Sequence, residues 1–368
     1  MRFKGYNKEL DYLTFKDVFT LYRGSSPRPI INYLTTSDDG VNWIKIGDMP
    51  SNGNKVTSCS ERITKEGAKK SRKVNKGDII LSNSMSFGKP YILEIDGYIH
   101  DGWFVIRNYQ KFLDKNYLCQ LIASNIVQKQ YKSTAAGGVV KNISSDLVNS
   151  VKVGIPSIDE QKKIAQFLDL IDLKIETQIK IIEAYQSLIK GICTKLITSK
   201  AGNTKIENCL YCNTSNLKES ELDEINSGNY PVYGANGYIK SINNYQTDED
   251  SIGIIKDGAG VGRMMKLKGK YSILATLNFL TARKGYNIDY IYYALKNKSF
   301  KKLIVGSGIP HIYFKDYKHD SIYIPDNNDE ITAIVKILNT YDTIIINEKS
   351  LLLLLEQLKA YLLKNMFI

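Results

Sequence analysis

The sequence predicts an α+β (mixed α/β) protein in which two globular bodies of sheet and helix are joined by two long antiparallel coiled-coil helices, as a pseudo-twofold tandem repeat. Three observations predict it. The 368 residues exceed one ordinary domain. A pattern recurs with a shift of about 170 residues. Two segments carry a helical period far longer than a globular helix needs. An apolar share of 43% with 10% aromatics supplies real cores and excludes a disordered basic tail.

The repeat is clearest around the long segments. One begins Ile155-Pro156, passes through Glu160, Ile164, Leu168 and Asp172, and ends in Leu196-Ile197; the other begins Ile324-Pro325, passes through Glu330, Ile334, Leu338 and Asp342, and ends in Met366-Phe367. Upstream, a glycine loop precedes each Ile-Pro, over 137–143 and 306–312. Earlier still, Ile79-Ile80-Leu81-Ser82 runs into Gly88-Lys89, and Gly253-Ile254-Ile255-Lys256 runs into Gly262-Arg263. The order gives four segments: a body over 1–157, a spacer helix over 158–200, a second body over 201–325 and a second spacer helix over 326–368.

In the first body, β-branched and aromatic runs at 43–46, 78–81, 91–95 and 103–106, separated by Gly, Asp or Asn turns, predict strands. Residues 251–255, 264–267 and 272–274 do the same in the second. Each body also holds one helical pattern, 115–131 and 288–304.

In the long segments, alternating steps of four and three from Ile164 reach Leu168, Ile171, Ile175, Gln178, Ile182, Tyr185, Ile189, Ile192 and Leu196. The same steps from Ile334 reach Leu338, Tyr341, Ile345, Glu348, Leu352, Leu355, Lys359, Leu362 and Met366. Pro156 and Pro325, each ahead of acidic residues, suit helix starts. About 38 residues at 1.5 Å each make a rod of roughly 57 Å, which needs a partner to bury its apolar seam. The other copy is the simplest one, and antiparallel pairing brings the polar seam residues Gln178 and Glu348 together, where they are expected to fix register.

The net charge is +12, from 50 Lys and Arg against 38 Asp and Glu. It divides as +9 over 1–157, +1 over 158–200, +4 over 201–325 and −2 over 326–368. That pattern reads as two polyanion-facing bodies and two structural connectors. No run reaches the roughly 18 to 20 apolar residues of a membrane span, and the start, Met1-Arg2-Phe3-Lys4-Gly5-Tyr6, lacks the apolar core of a secretory signal. A cytoplasmic location, without membrane association, is expected. The five scattered cysteines argue against a disulfide framework, and the single Cys-x-x-Cys at Cys209 and Cys212 lacks two further ligands nearby, so no metal is expected.

Catalytic motifs are scarce. Gly88-Lys89 is followed by Pro90 and has no leading glycine, so it is not a phosphate loop. The run Gly258-Ala259-Gly260-Val261-Gly262 precedes a strand and turn, not a helix. There is no Asn-Pro-Pro-aromatic run and no His-Glu-x-x-His, and three histidines leave little for acid-base chemistry. No catalytic residue is assigned. Polar and basic loops on apolar scaffolds remain, able to meet base edges and phosphates. The candidates are Lys45, Ser82, Asn83, Ser84, Ser86, Lys89, Lys141 and Asn142 in the first body, and Lys256, Asp257, Arg263, Ser307 and His311 in the second. Basic runs at 69–73 and Lys301-Lys302 suit phosphate contacts.

The order Arg2-Phe3-Lys4-Gly5-Tyr6, Leu21-Tyr22-Arg23-Gly24-Ser25-Ser26-Pro27, Trp43-Ile44-Lys45-Ile46-Gly47-Asp48, Gly77-Asp78-Ile79-Ile80, then Ile155-Pro156 with Glu160-Gln161 and a long helix, resembles the specificity subunit of type I restriction-modification systems. The second half departs from the pattern, with Asp329-Glu330-Ile331 in place of Glu-Gln and no Trp-x-x-Ile. The resemblance implies that each body is a target-recognition domain reading half of a bipartite, gapped sequence on double-stranded DNA, with the helix pair as a ruler. It also implies two modification (methyltransferase) subunits docked on the helices, bringing S-adenosylmethionine and flipping the target adenine, and restriction subunits supplying ATP- and Mg-dependent translocation and cleavage. On that reading the chain itself is non-catalytic and binds no cofactor. Leu173, Ile179, Ile181 and Leu188, apolar but off the seam, are the expected docking surface. A specificity-like DNA-recognition adaptor of another defence or modification complex is the alternative, separated from the first by co-purification with a methyltransferase chain.

Overall fold

The computed structural model describes residues 2–6, 9–50, 53–83, 88–135 and 142–367, the backbone alone at 134 and 135. The chain divides into two compact units, one of residues 1–180 with 349–368 and the other of residues 181–348. The two long helices, Ile158–Cys193 and Asn328–Asn365, each contribute to both units. Among the described residues no helix is long and apolar enough to cross a membrane.

In the first unit, the body is closed by pairing its beginning with its end: the strand Asp11–Thr14 lies antiparallel to Lys152–Ile155. Between them stand two five-stranded sheets. One has the order Thr20–Arg23, Trp103–Arg107, Ile79–Ser82, Pro90–Leu93, Lys55–Val56. Along its central strands the side chains alternate between two cores. Ile79, Leu81, Phe104 and Ile106 join the cluster that holds the long-helix residues Ile164, Leu168 and Ile171. Ile80, Trp103 and Val105 join Ile44, Val74 and Ile99 of the other sheet. Burial on both faces explains why these strands are continuous apolar runs in the sequence.

The first long helix is pinned at its opening turn. Gln161 is buried, its amide donating to the carbonyls of Phe112 and Pro156 at 2.9 Å each while its oxygen accepts from the Asp114 amide at 2.8 Å. Glu160, only 1% exposed, accepts from both Nε and Nη2 of Arg2 at 2.9 and 2.5 Å. Phe3 meets the edge of Phe167 at 5.9 Å. Beside this half of the helix lie the last turns of the other: Leu362, Met366 and Phe367 enter the same core, Phe367 packs on Tyr117 at 5.4 Å, and Lys359 donates to Asp172.

The second unit repeats the plan with fewer strands. Thr204–Lys205 pairs antiparallel with Ser321–Ile322, closing the body as in the first. A four-stranded antiparallel sheet has the order Leu210–Thr214, Leu277–Ala282, Ser251–Ile255, Met264–Leu267, and a three-stranded sheet stands beside it in sequence. Here the closing part of the first long helix lies beside the opening part of the second, with Tyr185 and Tyr341 at 6.0 Å. Each unit therefore pairs the start of one helix with the end of the other, which is the antiparallel arrangement the seams require. The first helix loosens into a π turn over Thr194–Thr198.

Repeat-related positions keep their work. Asp172 binds Gln120 at 3.0 Å in the first unit, and Asp342 binds Tyr293 at 2.5 Å in the second. Glu160 takes Arg2 from the start of the first body, and Glu330 takes Lys200, ahead of the second, at 3.2 Å. Every seam position named above is buried or half-buried. Gln178 is buried and Glu348 half-buried.

Two expectations need correction. The helical pattern over 115–131 is two helices, Lys115–Ala123 and Asn125–Ala135, broken at the buried, extended Ser124. The pattern over 288–304 ends at Lys296, where the Asn297 amide donates to the Tyr293 carbonyl at 3.0 Å, and only a short 3-10 turn, Lys301–Leu303, follows. At the second break the Asn297 side chain takes up a carbonyl of the last turn, and at the first the backbone becomes extended at Ser124; apolar periodicity registers neither.

Candidate nucleic-acid interface

The second body brings its two predicted loops into one structure. The glycine run 258–262 is a turn between the strands Ser251–Ile255 and Met264–Leu267, closed by Gly262 N donating to the Ile255 carbonyl at 2.8 Å and Ile255 N to that of Arg263 at 3.0 Å. Gly258, Gly260 and Gly262 all have positive φ, a backbone that side chains resist. A strand follows the run, so it opens no helix on a phosphate. The loop 305–311 is tied to it: Gly258 N donates to the Pro310 carbonyl and Ile312 N to that of Lys256, both at 2.9 Å. Val305 and His311 exchange backbone bonds at 3.0 and 2.7 Å. At the junction His311 Nδ1 lies 2.7 Å from Asp257 Oδ1. Lys256, Asp257 and His311 are half-buried there, Arg263 and Ser307 exposed.

The first body corrects part of the prediction. Ser82 is fully buried and Asn83 is 5% exposed. The Asn83 amide donates to the Asp101 carbonyl at 2.9 Å, and its backbone bonds Gly102 and Ile143. Both residues end a core strand and hold the chain leaving it, so neither faces a ligand. Lys45 is committed to Glu61 at 2.6 Å. Lys89 is half-buried with its ammonium 5.0 Å from the Tyr91 ring centroid, and burial, reinforced by Lys359, lowers its pKa. Asn142 is exposed. Ser84, Ser86 and Lys141 lie outside the described residues.

A cluster the composition did not signal stands nearby. Asp101 accepts from Ser26 Oγ at 2.7 Å and from Arg28 Nη2 at 2.9 Å, and its carbonyl receives Asn83. The Ser26 hydrogen bond, foremost, holds its carboxyl below the usual range. Arg28 is 79% exposed and remains open to a further anion. Gly24 is required because a Cβ there would lie 1.9 Å from the His100 carbonyl oxygen. The run Arg23-Gly24-Ser25-Ser26-Pro27 is thus a close-packed segment, bonded through its backbone to Trp103 and Ile99, that holds Asp101 through Ser26, a partner 75 residues away that the sequence does not show. Beside it, the Arg72 guanidinium lies over Tyr22 at 5.5 Å and donates to the Arg23 carbonyl at 3.1 Å. Lys69, Lys70, Arg72 and Lys73 are exposed, as are Lys301 and Lys302 in the second body. Both bodies therefore present exposed cationic side chains able to hold phosphates.

Cys209 is buried and donates to the Ile206 carbonyl, and burial pushes its thiol and that of Cys212 up to about 11. Among the described residues no three His, Cys, Asp or Glu side chains gather as metal ligands.

The family model of the type I restriction modification DNA specificity domain matches residues 7–184 and again residues 206–357, and the chain belongs to that family. It is similar to the specificity subunit of type I restriction enzyme StySPI from Salmonella potsdam, 24% identical over 270 residues, which are 70% of this chain and 57% of that protein. The EcoprrI specificity subunit from Escherichia coli is 19% identical over 366 residues, 91% of this chain and 88% of that protein. The crystal structure of the S subunit from M. genitalium shares the fold, with a TM-score of 0.65 at 17% identity over 100% of this chain and 99% of that one.

Proposed function

We propose that this chain is the sequence-specific DNA-binding specificity subunit of a type I restriction-modification complex and that each body reads one half of a bipartite, gapped target. What carries the reading is that the family domain matches twice, once on each copy of the internal repeat, and that the net positive charge falls on the two bodies. Phosphate contacts belong to the exposed lysines and arginines; base contacts belong to the loops around Lys256, Asp257, Arg263, Ser307 and His311, with Lys89 and Asn142 as candidates in the first body. The helices serve as the ruler between half-sites, with Gln178 and Glu348 setting their register. Two modification subunits dock on the off-seam apolar residues, of which Leu173, Ile181 and Leu188 are exposed and Ile179 half-buried. Those partners bring S-adenosylmethionine and methylate adenine; restriction subunits bring ATP and Mg for cleavage. The chain itself is non-catalytic and works in the cytoplasm.

Exchange of residues 1–157 for the corresponding body of another such protein tests the division of labour. Methylation mapping in cells carrying the chimera is expected to give a motif with one half replaced and the other retained. A motif changed in both halves, or in neither, contradicts it.

A further inference from the structure

We infer that His311 reads a base edge in the half-site of the second body and that Asp257 is the positioning residue that orients it; this rests on the DNA-recognition reading above. The imidazole is held on several sides. Its Nδ1 lies 2.7 Å from Asp257 Oδ1. Its backbone exchanges two hydrogen bonds with Val305, and its neighbours Pro310 and Ile312 are bonded to Gly258 and Lys256. Gly306, with φ of +100°, sets the return of the loop: a Cβ there would lie 2.3 Å from the Ile309 carbonyl oxygen. The Tyr313 ring lies parallel to the imidazole, 11° between planes and 6.3 Å between centroids.

An ionised carboxylate only accepts, so Nδ1 carries the proton and a neutral ring presents Nε2 as an acceptor. Among the described residues Nε2 has no hydrogen-bond partner, and the side chain is 34% exposed. Ion-pairing alone does not require a ring fixed by two loops, whereas a directional contact does. In the major groove a fixed acceptor selects the exocyclic amino group of adenine or cytosine over the carbonyl oxygens of guanine and thymine. Arg263, exposed on the adjoining turn, supplies the neighbouring cation.

The test is selection of a random-sequence duplex pool by the full chain in mildly alkaline buffer, alone and with co-purified modification subunits, followed by sequencing of the bound duplexes. The wild type is expected to enrich a two-part motif. His311→Ala is expected to relax one position of one half by roughly 3- to 10-fold, leaving the other half intact. Asp257→Ala is expected to relax the same position, and His311→Gln, which keeps an acceptor, to retain part of the preference. Lys302→Ala should lower affinity for all duplexes alike. A wild-type motif left unchanged by His311→Ala and His311→Gln overturns the inference while leaving the DNA reading in place, as does a uniform loss of affinity in variants that melt like wild type. Failure of the wild type to enrich any two-part motif overturns the DNA reading itself.

Discussion

Single residues explain motifs that the sequence displays without reasons. Arg2 and Glu160 are 158 positions apart yet form a two-point contact at the opening of the first long helix, and Gln161 beside it satisfies three backbone groups. As sequence, Glu160 reads as a helix-start carboxylate; its burial and its cation come from tertiary placement, which local pattern does not encode. His100 is a similar case. Its ring sits between Trp43 and Trp103, with centroids 6.1 and 6.2 Å away, and its Nδ1 accepts from the Gly102 amide at 2.8 Å. Burial drives its pKa below the usual 6.5. The unfolded chain then binds the proton more readily, so the stabilisation is present above pH 6.5 and is lost as pH falls towards the folded value. Thermal melts across that window are expected to show a steeper acid loss for wild type than for His100→Asn, which keeps an acceptor but cannot titrate. Parallel curves contradict it.

At the scale of elements, the long helices were the most legible part, because a seam repeated over ten positions leaves one face to bury. The strands Ser251–Ile255 and Met264–Leu267 were also legible, being apolar runs ended by turn residues. Strand order was not: Gly97–Ile99 pairs in parallel with Val41–Ile44, a partnership set by distant packing. Nor was the break at Ser124. The loops proposed to meet bases were half legible, since burial separates Ser82 and Asn83 from the exposed group and only the fold reveals it. The seam and the opposite helix face predict opposite mutational behaviour. Leu168 is fully buried and Leu173 is 58% exposed. Leu168→Ala is expected to destabilise by about 2–5 kcal/mol, and Leu173→Ala to stay within about 0.5 kcal/mol, in denaturant titrations. Equal effects would mean that the face assignment is wrong.

For the whole molecule, the repeat is the organising fact. It was visible as a shift of 170 residues, and the structure gives it content: each unit closes a body with its own end strands and draws on both helices. The second body is built on four and three strands where the first has five and five, which is why sequence similarity between the halves fades upstream of the helices. The family domain matched once on each copy of the repeat, with charge on the bodies and shared connectors, supports the proposed target in two parts. Genome-wide mapping of adenine methylation, with and without this gene, tests that claim most directly. The account predicts that one gapped, two-part motif disappears on deletion and returns when the gene is restored; an unchanged methylation pattern, or loss of a single uninterrupted motif, would contradict it.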